Sequence, residues 1–442
     1  MTKVSSAYPN VLVDRAALTD IKVLMRCTRA QFLLVFSVIG LLLASLWQIH
    51  VINRVMPQDH NDLLPRWVGV RAAFRGENPY SADVLRELQT AYYGRPLTTA
   101  DAGLEPQGFY EPAHAVILLR PLALLPWKAA RLAFLVIAPL LLAVGFWLCI
   151  RAFTLSSRVA FIATSLTLAS WPVMWGLRLQ QLTLLIAAFV FLACVLIVRG
   201  HDISAGMLLA ASTIKPQLVA PLILWLFLWS VLQRRYWLLA SFVGAMTALL
   251  IPTEILVPNW FPRWIHYVAA YPHNGNTAMP LVIALGKMPG LLCTVALVLA
   301  SAFVLWRSRS AAASSPSFGF AFSLLLATAL CVTPTKLPVI YNQVLLAPAA
   351  VILACWKPSG YYSRLVRSLA VGAFVWGFVS VLIAMAGESI LAQSSPWIGI
   401  PFLNVFLPVA ATVALLVQYW DVLETAQSIQ PERIAVTVAA NG

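Results

Sequence analysis

The sequence predicts an all-α, polytopic membrane protein with about 12 transmembrane helices, because apolar runs of roughly the 17 to 25 residues that cross a bilayer recur along it. Of its 442 residues, 61% are hydrophobic and only 10% are charged. A soluble globular chain carries about 25% charged residues. The 16 tryptophans and 28 prolines fit interfacial belts and broken helices.

The apolar runs predict where the chain crosses the membrane. A single transmembrane domain is predicted over 31–420, between cytoplasmic tails at 1–30 and 421–442. Its first span is predicted at 31–52. The spans predicted after it are 129–150, 159–175, 180–198, 203–214, 216–232, 236–257, 280–306, 317–334, 341–356, 367–390 and 398–419.

Basic residues concentrate in the loops on one side of this arrangement. Positive charge retains short loops in the cytoplasm, so the pattern predicts that both termini are cytoplasmic. The expected location is the bacterial inner membrane. The pattern also explains the net charge of +14 without nucleic-acid binding. The loop residues concerned are Arg151, Arg158, Arg199, Arg234, Arg235, Arg307, Arg309, Lys357, Arg364 and Arg367.

Acidic residues concentrate in residues 53–126, which we call the first loop. It holds eight of the 16 acidic residues, including Asp59 and Asp62, and is predicted to be an extracytoplasmic catalytic loop. Ser81 is a predicted N-cap for a surface helix that ends at Gly94. Residues 112–126 are too short for a comfortable span and predict a re-entrant or interfacial segment. If they crossed the membrane, every later loop would change sides.

Several polar residues fall at membrane depth on the same predicted side as the first loop. Such groups are costly in hydrocarbon unless they face a partner or a water-filled cavity. Lys215-Pro216 also predicts a broken helix, which is tolerated where it lines a cavity. The sequence therefore predicts an outward-facing cavity. The polar residues are Arg178, Gln181, Lys215, Asn276, Lys336 and Asn342.

Cations facing carboxylates predict glycosyl transfer from a lipid-linked sugar. Lys215, with Lys336, Arg66 or Arg178, could hold a phosphate, and an Asp could deprotonate an acceptor hydroxyl. Because nucleotide sugars are absent outside the cytoplasm, the donor is predicted to be a polyprenyl-phosphate sugar. No metal-binding motif or phosphate-binding glycine loop occurs, so no metal or cofactor is predicted. The six cysteines, without a CxxC pair, are predicted to be core residues.

Six segments carry a resemblance to glycosyltransferase family 87, membrane enzymes of the GT-C class, over roughly residues 55–355. The segments are QDHNDLLPRWVGVRAAFRGENPYS, GFYEPAHAVILLRPLALLPWKAARLAF, LRLQQLTLL, AASTIKPQLVAPLIL, YPHNGNTAMPLVIAL and PTKLPVIYNQVLLAPA. The resemblance implies a GT-C fold and inverting transfer of mannose, arabinofuranose or a related sugar to an envelope glycan or glycolipid. It also implies that the first-loop Asp is the base, which is Asp62 by its spacing to Trp67, with Asp59 in reserve.

The chain departs from the family pattern at three places. Glu111 stands where a second proline is usual, and Gln180 stands where the glycine of Gly-Gln is usual. A late-loop histidine of some members has no counterpart in PTKLPVIYN.

Structural roles remain open for the candidate site residues. Asp62 could be a helix N-cap, Lys215 could extend to the membrane interface, and Gln181 could bond between helices. Tyr110 and Glu111, like Asn276 and Asn342, are substrate-binding candidates. A transporter, a lipid flippase or a non-catalytic membrane scaffold is the alternative function.

Overall fold

The computed structural model describes residues 46, 50, 61–101, 104–270, 279–310, 318–334, 339–356, 360–386 and 402–420. In these parts 80% of the residues are helical and none is in a strand, which confirms the all-α prediction. Asp59, Asn276 and Lys336, both predicted tails and nearly all of the predicted first span lie outside the described residues.

Three helices form in the first loop: α1 (Leu63–Phe74), α2 (Ala82–Tyr93) and α3 (Ala115–Ala123). The predicted N-cap of α2 is confirmed, because the Ser81 hydroxyl accepts a hydrogen bond from the Val84 amide at 3.3 Å. Gly94 ends α2 in the left-handed conformation, at φ 76°. At 1.5 Å per residue, α3 is about 14 Å long, too short to cross a bilayer core of about 30 Å.

The rest of the described chain is a succession of apolar helices. Short 3₁₀ turns lie at Thr99–Asp101, Pro216–Leu218 and Ile340–Leu346. The helices are α4 (Trp127–Ala152), α5 (Ser157–Leu168), α6 (Trp171–Leu179), α7 (Thr183–Val198), α8 (Asp202–Ser212), α9 (Ala220–Leu232), α10 (Tyr236–Leu256), α11 (Trp260–Ala269), α12 (Pro280–Leu285), α13 (Lys287–Arg307), α14 (Phe318–Leu330), α15 (Ala347–Cys355), α16 (Tyr361–Ala386) and α17 (Phe402–Trp420).

Five of these helices are long and apolar enough to cross a membrane: α4, α10, α13, α16 and α17. The pair α5 and α6, bent by 49°, counts as a sixth if it forms one broken span. Helices α7, α8 and α9 are apolar but shorter. The structure thus supports five or six spans by length and composition, and the larger predicted number stays a prediction.

Two helix breaks have clear local causes. Lys215 adopts φ −122° and ψ 83°, because a residue before proline is sterically excluded from the helical region. The predicted break at Lys215-Pro216 is therefore confirmed. The span predicted at 280–306 begins later than predicted, at Lys287, since Gly286 at φ 86° separates α12 from the span candidate α13. Only glycine adopts this backbone conformation without steric cost.

Helix α7 is enclosed by its neighbours, with 12 of its 16 residues buried. Helix α8 packs between α7 and α10, and α4 packs on α7. The outer face of α10 instead exposes large apolar side chains, including Trp237 at 69% and Ile255 at 75%. A soluble protein seldom exposes so continuous an apolar surface, whereas a lipid-facing helix does.

The close contact between α8 and α10 depends on Gly206. A Cβ atom added there lies 2.5 Å from the Leu238 carbonyl oxygen. We expect G206A to lower stability by about 1 to 3 kcal/mol through overpacking, measured as thermal unfolding in detergent. G244A is the matched control on α10, because nothing lies within 4 Å of its Cβ position. Equal unfolding temperatures for the two variants would contradict this packing.

Candidate functional site

Asp62 lies immediately before α1, with its side chain directed away from the helix. It occupies the N-cap position but makes no side-chain capping bond. The Asn61 side chain instead accepts from the Leu64 amide at 3.0 Å, so a capping role for the Asp62 carboxylate is wrong. The Asp62 amide donates to the Leu179 carbonyl at 2.7 Å, which joins the first loop to the end of α6.

The end of α6 aims Gln181 at Asp62. Gln180 closes the helix with φ 54°, and the Gln181 amide donates to the Gly176 carbonyl at 2.8 Å. Together these form a Schellman motif, in which glycine is the usual left-handed residue. The backbone at position 180 therefore explains why glycine is usual there in the family pattern. This chain places a buried glutamine in the same conformation.

Gln181 joins Asp62 to Lys215. Its Nε2 donates to Oδ2 of Asp62, and its Oε1 accepts from Lys215 Nζ at 2.6 Å. A lysine can only donate and an ionised carboxylate can only accept, so these partners fix the orientation of the amide. The amide also separates the two charges. In the described structure Lys215 and Asp62 form no direct ion pair.

Lys215 is held at the helix break by further contacts. Its Nζ lies 3.4 Å from the Thr183 hydroxyl, which in turn donates to Oδ1 of Asn342 at 3.1 Å. The same Nζ lies 5.2 Å from the centre of the Tyr341 ring. The first residues of α7 and the 3₁₀ turn at Ile340–Leu346 thus fix the position of the ammonium group.

Arg66 is paired rather than available. Its Nε lies 2.5 Å from Oε1 of Glu111, and the two side chains are only 12% and 4% exposed. It also donates to the Asp62 backbone carbonyl. Glu111 therefore neutralises Arg66, and Lys215 is the cation in the described cavity wall that forms no ion pair.

These residues line one cavity of about 510 Å³, within the usual size range of small-molecule sites. It brings together Asp62, Arg66, Tyr110, Glu111, Gln181, Lys215 and Asn342, as predicted for a shared face. Arg178 does not line the cavity. It lies near Tyr92. Burial raises the pKa of Tyr92, and the positive charge of Arg178 lowers it.

The charge state of Asp62 follows from its surroundings. Burial raises the pKa of this carboxyl to about 6. The cations Arg66 and Lys215 lower the pKa, while Glu105 and Glu111 raise it. A carboxylate with a pKa close to neutrality accepts a proton better than an ordinary exposed aspartate while remaining largely ionised near pH 7.

The comparisons with known proteins decide the class of this protein. The model of glycosyltransferase family 87 matches residues 109–334, just over half of the chain. The chain belongs to glycosyltransferase family 87. A comparison with curated proteins found no match. Family membership makes the chain a membrane glycosyltransferase and decides against the transporter, flippase and scaffold alternatives.

The family match includes Tyr110, Glu111, Gln181 and Lys215, whereas Asp62 lies before it. The role of Asp62 therefore depends on the cavity geometry. Sequence reasoning did not single out Thr183, Tyr341 or Glu105, and it assigned Trp264 to an interfacial belt. Glu105, Trp264 and Tyr341 line the cavity. The one sequence signal for Thr183 was its position two residues after Gln181.

The bridging amide gives a test of this arrangement. In Q181L the leucine cannot bond to either charge, so Lys215 and Asp62 are free to shift or pair directly. Misplacement by about 1 Å costs roughly 100-fold in rate, and we expect a loss of about that size in glycosyl transfer. Q233L is the matched control, because Gln233 donates to the Arg309 carbonyl at 3.3 Å, outside the cavity. Normal transfer by Q181L would exclude the bridge from function.

Proposed function

We propose that this glycosyltransferase moves a hexosyl or pentosyl unit from a polyprenyl-phosphate donor to an envelope glycan or glycolipid. Asp62 is the base, and Lys215 binds the donor phosphate. The observation that carries the proposal is the Gln181 bridge, which holds a carboxylate and an ammonium group apart in one cavity.

The reaction is a single displacement at the anomeric carbon of the donor sugar. Asp62 accepts the proton of the acceptor hydroxyl as the acceptor oxygen bonds to that carbon. The bond between the anomeric carbon and the phosphate oxygen breaks, and its electron pair leaves with the polyprenyl phosphate. One displacement inverts the anomeric configuration.

The two groups are suited to these roles by their partners. Gln181 occupies Oδ2 of Asp62, which leaves Oδ1 for the acceptor hydroxyl. Lys215 bonds to neutral oxygens of Gln181 and Thr183, so its positive charge is not cancelled and attracts the departing phosphate. Arg66 contributes less charge because Glu111 neutralises it. Lys336, outside the described residues, stays a secondary phosphate-binding candidate, whereas Arg178 does not line the cavity.

The helix ends support an extracytoplasmic site. Gln181 precedes α7, and Arg199 follows it, so α7 places them at opposite ends of a helix about 24 Å long. Lys215 and Arg234 lie on either side of α9 in the same way. The rule that positively charged loops stay inside assigns the basic ends to the cytoplasm, and this supports a cavity at the outer end.

Replacing the base tests the mechanism directly. We expect D62N to reduce transfer from a polyprenyl-phosphate sugar by about 100- to 10,000-fold, the usual contribution of a general base. D83N, in an exposed ion pair with Arg86, is the matched control and should retain activity. Full activity of D62N with loss of activity in D59N would transfer the base to Asp59. Transfer from a nucleotide sugar instead would contradict the donor class.

The pH dependence of transfer reports the same carboxyl group. Because only ionised Asp62 can accept a proton, kcat/KM should rise with pH and reach half of its plateau near pH 6, the value to which burial raises the pKa of Asp62. Well below this value, kcat/KM should fall about tenfold per pH unit. A rate that stays constant from pH 7 to pH 5 is incompatible with Asp62 as the base.

A further inference from the structure

Residues 105–111 form a non-helical wall of the cavity whose backbone is held by side chains of other elements. Four of its carbonyl groups accept hydrogen bonds from side chains of the GENPY turn (residues 76–80), α2 and α11. These are Tyr93 Oη to Glu105 at 2.7 Å, Gln89 Nε2 to Pro106 at 3.1 Å, Trp264 Nε1 to Tyr110 at 2.9 Å and Tyr80 Oη to Glu111 at 2.8 Å. Carbonyls that would otherwise need water are satisfied, so this wall is fixed without regular structure.

Two residues in the wall show how tightly it is constrained. Gln107 is buried and has φ 50°, a conformation that is costly for a residue other than glycine and that clusters at binding sites. Gly108 leaves no room for a side chain, because an added Cβ lies 2.8 Å from Cζ of Tyr110 and also collides with the Tyr267 hydroxyl. Both observations indicate that the backbone of this wall is closely constrained by its neighbours.

The wall presents chemistry opposite to that of Lys215. Glu105, Tyr110 and Trp264 line the same cavity. The negative charge of Glu105 repels a phosphate, whereas its oxygens can accept hydrogen bonds from neutral hydroxyl groups. Aromatic rings offer flat apolar faces against which the C–H face of a sugar ring can lie. Trp264 is oriented for this role by its bond to the Tyr110 carbonyl.

Asp62 lines the same cavity as Lys215 and as the wall formed by residues 105–111. The charges of both Lys215 and Glu105 act on its carboxyl group. Because the donor phosphate belongs at Lys215 under the proposed function, the remaining wall is where an acceptor hydroxyl can approach the same carboxylate.

We propose that residues 105–111, together with Trp264, form the acceptor subsite, and that it takes an uncharged sugar ring whose hydroxyl groups bond to Glu105. The inference rests on the proposed function, since it assumes that the donor phosphate binds at Lys215. It adds the chemical class of the acceptor: a neutral sugar rather than a uronate or a phosphorylated group.

The first test separates acceptor binding from donor binding. We expect E105Q to raise KM for the acceptor about tenfold and to leave KM for the polyprenyl-phosphate donor unchanged. E87Q is the matched control, a glutamate of the same loop that pairs with Arg75 on the surface, and both of its KM values should stay at wild type. An unchanged acceptor KM in E105Q, or an equal rise in both of its KM values, overturns the inference.

The pH profile gives a readout that loss of folding cannot imitate. Since Glu105 raises the pKa of Asp62, removing its charge in E105Q should move the acid limb of kcat/KM to lower pH. The groups that remain around Asp62 in E105Q are Arg66, Lys215, Glu111, Tyr92 and Tyr341. If the acid limb of E105Q coincides with that of wild type, Glu105 lies too far from Asp62 to affect its pKa. That result contradicts the subsite.

Acceptor charge provides the test of chemical class. Wild-type protein is supplied with a polyprenyl-phosphate sugar and with alkyl hexosides or the matching alkyl uronides. We expect transfer to the neutral hexosides, and a preference over uronides that E105Q reduces. Transfer to uronides alone overturns this inference and leaves the proposed function standing. Transfer to no acceptor of any kind, from this donor, contradicts the proposed function itself.

Discussion

The hydrogen bonds of the Gln181 amide hold the proposed catalytic arrangement together. One end of this neutral group faces a carboxylate and the other faces an ammonium ion. A direct bond between Asp62 and Lys215 would satisfy both charges and leave neither for a substrate. Because the amide lies between them, the Asp62 carboxylate and the Lys215 ammonium group stay close together without neutralising each other. The position of α6, the left-handed residue that ends it and the break before α9 all serve this contact.

Much of the surrounding structure can be understood as support for that contact. The Schellman motif at Gln180 directs the next side chain toward the first loop. Pro216 excludes Lys215 from helical geometry, and the ammonium group of Lys215 donates to Gln181. The buried pair of Arg66 and Glu111 fixes the first turn of α1 against the wall formed by residues 105–111. The first two devices are local, and each is specified by one or two residue types.

These local devices explain how far the sequence could predict the molecule. The Ser81 cap and the Lys215-Pro216 dipeptide are short-range signals, and the structure agrees with them. Apolar length predicted about 12 spans, of which the described residues support five or six. The pairing of Arg66 with Glu111, 45 residues apart, leaves no trace in spacing, so Arg66 was predicted to hold phosphate. Glu105 was one acid among eight in the first loop. Only the folded backbone determines which of those acids reaches the cavity, and the same is true of Trp264.

The distance along the chain between bonded residues has a consequence for biosynthesis. Asp62 and Gln181 are 119 residues apart, and Thr183 bonds to Asn342, 159 residues later. The first loop is therefore synthesised before the helices that carry its hydrogen-bonding partners. No nascent chain shorter than 342 residues holds the whole cavity. Activity thus appears late in synthesis, after most of the protein has entered the bilayer, and premature termination yields chains without a finished site.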